Sequence, residues 1–251
     1  MAGQGDRDGY VATDTLLLYG NPAAYTRYQY RLRLFTTNLS ATPRVSLISV
    51  MTSDSYKEPA GLTIPSDHQA WGQDLAVPRR SQMTYAGGDG WCSPTSTSML
   101  LGYWGRSVTV PSAAAGTYDY VYHGNGNWPF NTAFAARYGL EAYVTRMGSM
   151  AQLEEWISAG IPVAISIGFR SGELAGTPIP SSGGHLIVVR GFTSTGNVIT
   201  NDPAAPTSDS VRRVYNRTQL QRAWLKYSGG TVYLIYPHGR AVPSSKSYGS
   251  W

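Results

Sequence analysis

The chain has a single cysteine, Cys92, among 251 residues. That excludes an intramolecular disulfide and any cysteine-rich metal site, and it leaves the redox compartment unreadable from disulfide use. Charge is also scarce. Only 14% of residues are charged, against roughly 25% in an ordinary soluble protein. The net charge of +5 is spread along the chain, with Arg79-Arg80 and Arg212-Arg213 as the only adjacent basic pairs. No basic stripe interleaved with aromatics accompanies them, so nucleic acid is not expected as a partner. No stretch approaches the ~18 consecutive apolar residues of a membrane span. The opening Met1-Ala2-Gly3-Gln4-Gly5-Asp6 has no apolar run and is not read as a signal peptide. A Gly-x-Ser-x-Gly elbow is missing, and Gly124-Asn125-Gly126 lacks the third glycine of a dinucleotide loop and is read as a turn. The four histidines, His68, His123, His185 and His238, stand too far apart for a local metal motif. No metal or other cofactor is expected.

What is present can build a core, since 42% of residues are hydrophobic. The length suits one large domain with a smaller appendage. Residues 1–54 read as a β-rich segment, with strands at Tyr10–Tyr19, Tyr25–Thr37 and Val45–Thr52 separated by Gly20-Asn21-Pro22 and Asn38–Pro43. Tyr28, Tyr30, Leu32 and Leu34 alternate with polar residues, the pattern of a half-buried strand. Three strands are few for an independent domain, so this segment is read as packing on the rest or as the remnant of a larger β-sandwich. Residues 55–76, rich in Ser, Asp, Pro and Gly, read as a linker. Residues 77–237 form the main domain and 238–251 a tail. Within the domain, helices are expected after Cys92, from Asn127–Pro129 to Gly139, and from a capping box at Ser149-Met150-Ala151-Gln152 to Gly160. Strands follow at Ile161–Phe169, His185–Phe192, Asn197–Thr200 and Val211–Tyr215, then a helix from Asn216 to Lys226 and a strand at Thr231–Tyr236. A helical half before a β half is an α+β arrangement.

Cys92 sits in Gly90-Trp91-Cys92-Ser93-Pro94-Thr95-Ser96. Ser93 is a good N-cap and Pro94 a good first helical residue, so the thiol is expected at the positive end of a short helix closed by Gly105. Such a position favours thiolate and makes a nucleophile. The other reading of a free cysteine is a small buried hydrophobe. A thiol nucleophile needs a base, and the base needs an orienting group. His68, His123 and His238 fall in linker, loop and tail. His185 instead follows Ser182-Gly183-Gly184 and opens a strand, where the glycines allow close approach of backbone or substrate. A hairpin centred near Thr195 returns Asp202 to the same end, placed to accept a hydrogen bond from the imidazole. Taken singly, a strand-end histidine and a turn-forming Asp-Pro are ordinary. Gln82, before the loop Ala86–Gly90, could supply an amide N–H to an oxyanion hole beside the Cys92 backbone, although a loop glutamine is more often simply solvated. Trp91 is read as packing.

The segments Ala76–Gln82, Gly90–Met99, Gly184–Phe192 and Asn201–Ala205 together resemble the papain-fold cysteine peptidases related to the bacteriocin-processing, double-glycine leader peptidases, in their free-standing C39-like branch. The resemblance covers residues 76–237. It implies a papain-like α+β fold, with a helical half carrying the nucleophile and an antiparallel β half carrying His and Asp. By the same resemblance Cys92 is the nucleophile, His185 the base, Asp202 its orienting partner and Gln82 the oxyanion residue. The implied activity is hydrolysis of peptide bonds in a peptide or protein substrate. An idle papain-like protein that binds peptide or cell wall, and a peptidoglycan amidase or endopeptidase, remain the alternatives. Transporter-linked members carry Asp-Cys-Gly where this chain has Trp91-Cys92-Ser93, and no P-loop follows here. An extracellular or cell-envelope setting is expected from the resemblance alone, with the cytoplasm left open.

Overall fold

The computed structural model describes residues 5–52 and 65–244. The chain divides into two compact units, Met1–Asp54 and Ser55–Trp251. In the first, Gly9–Ala12 (β1) and Thr15–Leu18 (β2) form an antiparallel hairpin in which Gly9 pairs with Leu18 and Ala12 with Thr15. Thr13 turns the chain at a φ of 54°, so the stretch read as one strand over Tyr10–Tyr19 is folded back on itself. Tyr25–Thr37 and Val45–Thr52, also read as strands, have no strand partner among the described residues. Tyr28, Tyr30, Leu32 and Leu34 are exposed. Alternation describes a half-buried strand only where neighbouring strands supply a ladder and a face to cover.

The second unit opens with three helices, Cys92–Tyr103 (α1), Val110–Thr117 (α2) and Trp128–Ala136 (α3). Then come Leu140–Arg146 (β3), Met150–Ser158 (α4), Val163–Phe169 (β4), Ser182–Phe192 (β5), Val198–Asn201 (β6), Arg212–Tyr215 (β7), Arg217–Ser228 (α5) and Thr231–Pro237 (β8). The six strands form one sheet in the order β3-β8-β4-β5-β6-β7, and every pairing is antiparallel. The α+β architecture with its helical half leading is therefore present. Helices cover both faces of the sheet. Ile187, Val189, Val232 and Leu234 face a core completed by Leu153 and Trp156 of α4 and Trp224 of α5. Their neighbours Leu186, Val188, Tyr233 and Ile235 face a second core completed by Met99 and Leu100 of α1 and Phe134 of α3. Successive residues of a strand point to opposite faces, and so these central strands are apolar at nearly every position.

The segment read as a linker divides. Residues 53–64 lie outside the described residues, while 65–76 form a strap docked on the sheet rather than a free connection. Gly72 N–H donates to the Phe192 carbonyl at 2.9 Å and Leu75 N–H to the Arg190 carbonyl at 2.8 Å. A Cβ on Gly191 would stand 2.1 Å from the Gln73 carbonyl oxygen, so only glycine admits the strap there. The polar composition of the strap is spent on these contacts. Asp67 N–H and the Trp71 indole both donate to the buried Glu154 carboxylate, at 3.1 and 2.6 Å. No helix among the described residues is long and apolar enough to cross a membrane.

Candidate active site

α1 begins at Cys92 itself, two residues earlier than the Ser93 cap suggested. Trp91 is the N-cap and offers no side-chain hydrogen bond, so the helix starts on the Thr95 N–H bond to the Trp91 carbonyl at 3.0 Å. Ser93 is free to serve elsewhere, and its hydroxyl lies 2.8 Å from the Tyr233 hydroxyl on β8. The consequence favours the thiol. Cys92 stands in the first turn, where backbone N–H groups lack helical acceptors and the helix dipole is positive. Its residue is partly exposed, whereas Thr95 to Leu101 behind it are buried.

His185 occupies β5 opposite Ile167 of β4. It is 3% exposed, and its Nε2 lies 2.7 Å from Asp202 Oδ1. With Nε2 engaged by the carboxylate, Nδ1 is left for the Cys92 thiol, and each of the two groups shifts the other toward its charged form. The β5–β6 hairpin sets this up, since Val188 pairs with Asn201 and the chain then delivers Asp202 beside the start of β5. Gly183 and Gly184 precede His185 on the exposed end of β5. A Cβ at either would meet nothing within 4 Å, so no protein backbone presses on them and the space before the histidine is open.

Asp202 is 1% exposed and fully engaged. Its Oδ1 accepts from His185 and from the Ala204 N–H at 3.0 Å, and its Oδ2 accepts from the Tyr215 hydroxyl at 2.7 Å. Tyr215 carried no functional signal in the sequence. Its Cα pairs with Val198, at the far end of β6 from Asp202, and only the length of a tyrosine side chain spans that offset.

Gln82 is 2% exposed, not solvated. Its backbone N–H donates to the Pro203 carbonyl at 2.9 Å, which ties it to the residue after Asp202. Its Nε2 donates to the Asp89 carbonyl at 2.7 Å. A primary amide has two N–H groups, so one remains. Gly88 is needed here, because a Cβ would stand 2.0 Å from the Gln82 carbonyl oxygen. The segment leading to Gln82 is anchored by two side chains from the sheet. Arg190 pairs with Asp74 at 2.6 Å and donates to the Val77 carbonyl at 3.2 Å, and Asn201 Nδ2 donates to the Pro78 carbonyl at 3.1 Å.

The electrostatics form one chain. Burial alone would push the Cys92 thiol up, but the hydrogen bond and positive charge of His185, with the Leu186 and Ser93 backbone, bring it below its ordinary value. Burial would lower His185, yet the Asp202 charge and hydrogen bond, aided by Cys92, push it up to about 10. Asp202 is held below the usual carboxylate range, since His185, Tyr215 and the Ala204 N–H outweigh burial. All three shifts have the same sense, each favouring the charged form of its group: thiolate, imidazolium and carboxylate. Among the described residues no group of three or more His, Cys, Asp or Glu is placed to hold a metal ion.

The sequence profile of the Peptidase_C39 like family matches residues 74–232, and that of the Peptidase C39 N-terminal domain matches residues 1–53. No curated protein is significantly similar to the chain. Among solved structures, a double glycine motif protease from an AMS/PCAT transporter, in complex with the leader peptide, is 21% identical, covers 66% of this chain and 94% of its own, and superposes with a TM-score of 0.44. A structure described as a C39-like peptidase from Bacillus anthracis is 20% identical over 64% of this chain and 96% of its own, with a TM-score of 0.49. The peptidase domain of Streptococcus ComA, a bifunctional ABC transporter of a quorum-sensing pathway, is 12% identical over 64% of this chain and 99% of its own, with a TM-score of 0.46.

Proposed function

The chain belongs to the Peptidase_C39 like family of cysteine-type peptidases, and on that premise we propose that Cys92, His185, Asp202 and Gln82 carry out peptide-bond hydrolysis. The observation that carries the reading is the buried His185 imidazole bonded to the Asp202 carboxylate at 2.7 Å, with the Cys92 thiol as the group that acts on it electrostatically from its other side. The Cys92 thiolate attacks the scissile carbonyl carbon. The carbonyl π electrons move to oxygen, and the oxyanion is met by the Cys92 backbone N–H and the second Nε2–H of Gln82. As the tetrahedral intermediate collapses, the C–N bond breaks and imidazolium His185 gives its proton to the departing amine. That leaves a thioester on Cys92. Neutral His185 then takes a proton from water, the hydroxide adds to the thioester, and the acid product leaves as the thiolate and imidazolium are restored. Asp202 keeps the imidazole in one orientation and stabilises its charged form throughout. The open space at Gly183 and Gly184 is where a substrate main chain is admitted beside the base.

The test is cleavage of a broad peptide library and of peptidoglycan-derived peptides by the wild type and by Cys92→Ala. Products from the peptide library that vanish in the variant are the expected result. Cleavage confined to peptidoglycan cross-links would move the assignment to a cell-wall hydrolase. The absence of any Cys92-dependent product from either panel would leave a binding protein.

A further inference from the structure

We propose that Tyr215 is a positioning residue of this site: its hydroxyl fixes the rotation of the Asp202 carboxylate and so keeps His185 paired with Cys92. The inference rests on the peptidase reading and adds a residue to it. The two carboxylate oxygens of Asp202 are served unequally. Oδ1 holds both His185 Nε2 and the Ala204 N–H, whereas Oδ2 has the Tyr215 hydroxyl as its hydrogen-bond partner among the described residues. Asp202 is 1% exposed and Tyr215 0%, so no bulk water stands ready to replace that donor. A carboxylate oxygen left buried without a donor is costly. Rotation of the group toward other donors would then draw Oδ1 away from the imidazole.

The hydroxyl is suited to the task because it keeps its proton. Burial, together with the charge and hydrogen bond of Asp202, raises the tyrosine well above its ordinary value, against a smaller opposite influence from Arg213 on the same strand. It therefore remains a donor at any pH at which the thiolate–imidazolium pair exists. The groups facing the carboxylate are His185 from β5, the Ala204 backbone from the loop after β6 and Tyr215 from β7, with Cys92 of α1 beyond the imidazole. No hydrogen bond joins Tyr215 to the thiol or the imidazole among the described residues, and it acts through Asp202.

Iodoacetamide alkylation measured against pH reads the site without a substrate, because Cys92 is the only thiol in the chain. In Tyr215→Phe the alkylation midpoint is expected to rise by about half to one pH unit, as a hydrogen bond supporting the charged chain is lost. Tyr215→Leu repeats the rise. Val198→Ala is the control for packing alone: it trims the buried residue paired with Tyr215 in the sheet, lowers thermal stability, and leaves the midpoint in place. In an Asp202→Ala background the midpoint is already high, and Tyr215→Phe moves it no further. A midpoint depressed in the wild type and unmoved by Tyr215→Phe overturns the role of the tyrosine, as does an equal shift in the Asp202→Ala background. A wild-type midpoint at the ordinary ~8.5 of a free thiol overturns the peptidase reading itself, and the two failures are thereby told apart.

Discussion

Cys92 meets two demands that pull against each other. As the proposed nucleophile it must be reachable, and it must ionise below the ordinary range of a thiol. Starting α1 at the cysteine itself satisfies both, since the first residue of a helix keeps an open side while the buried Thr95–Leu101 turns fix its position. Ser93 was read as a helix cap, yet it is buried and bonded to Tyr233, as Ser96 is to the Leu186 carbonyl and Ser98 to the Thr95 carbonyl. Gln82 is the residue whose contribution separates chemistry from assembly. In the proposed mechanism it stabilises an oxyanion that the resting enzyme does not contain. Gln82→Ala should therefore slow peptide hydrolysis by about 10²–10³-fold, the usual loss for one oxyanion donor. The pH midpoint for Cys92 alkylation should stay where it is, because Gln82 is not among the groups that shift the thiol. Hydrolysis rates on any cleaved library peptide, set beside the alkylation profile, check this. A midpoint that moves with the rate would show that Gln82 holds the thiol pair together.

The elements differ in how much of them the sequence displayed. β4, β5 and β8 were legible because buried strands between two helical layers are continuous apolar runs, and Ile161–Phe169, His185–Phe192 and Thr231–Tyr236 have that form. α4 was legible from Ser149, whose hydroxyl caps the Gln152 N–H, although the Gln152 amide reaches back to Gly148 N–H rather than to Ser149 itself. α2 and β3 gave no such sign. The α2 sequence Val-Pro-Ser-Ala-Ala-Ala-Gly-Thr has small residues where an apolar stripe would show, and β3, at the edge of the sheet, is half-buried at every position after Leu140. The meeting of Cys92, His185 and Asp202 was legible from one helix start and one hairpin. Tyr215 was not, because its reach crosses the register of β6 and β7. The strap was misread because polar residues that look like linker are bonded to Glu154, a carboxylate with no exposure that also pairs with Arg217 at 2.6 Å. Glu154→Ala removes the acceptor for Asp67, Trp71 and Arg217 together. It should cost about 3 kcal/mol of stability, the low end for breaking a buried pair, because the Arg217 side chain keeps 25% of its surface in solvent. Amide exchange should quicken at Gly72 more than at Leu75, whose end of the strap stays anchored by Arg190 and Asp74. Equal quickening at both would mean that the strap releases as one piece.

At the scale of the whole molecule, the buried charge chain writes a pattern into the pH dependence of folding. A group raised in the folded state, as His185 is to about 10, stabilises fully below its unfolded value of ~6.5 and loses that contribution as pH rises through its folded value. A group lowered in the folded state, as Cys92 is, stabilises fully above its unfolded value of ~8.5 and loses that contribution as pH falls through its folded value. Above ~6.5 and above the lowered folded value of the thiol, and up to ~8.5, the folded pair holds one proton, on the imidazole, and the unfolded pair also holds one, on the thiol. Proton number does not change on unfolding, so these two groups give no slope in that window. Below ~6.5, wherever the folded thiol is still ionised, the unfolded pair binds an extra proton and stability falls with acid; from ~8.5 to about 10 the folded pair holds the extra proton and stability falls with base. Cys92→Ser removes one partner and breaks the cancellation. The variant should lose stability steadily from pH ~6.5 upward, because only the raised histidine, still paired with Asp202, then titrates. Urea denaturation of both proteins at half-unit pH steps measures this, and the difference between the curves removes every titrating group they share. If the wild type slopes as steeply as Cys92→Ser between those two pH values, the thiol and imidazole titrate independently and the ion pair is not the resting state of the site.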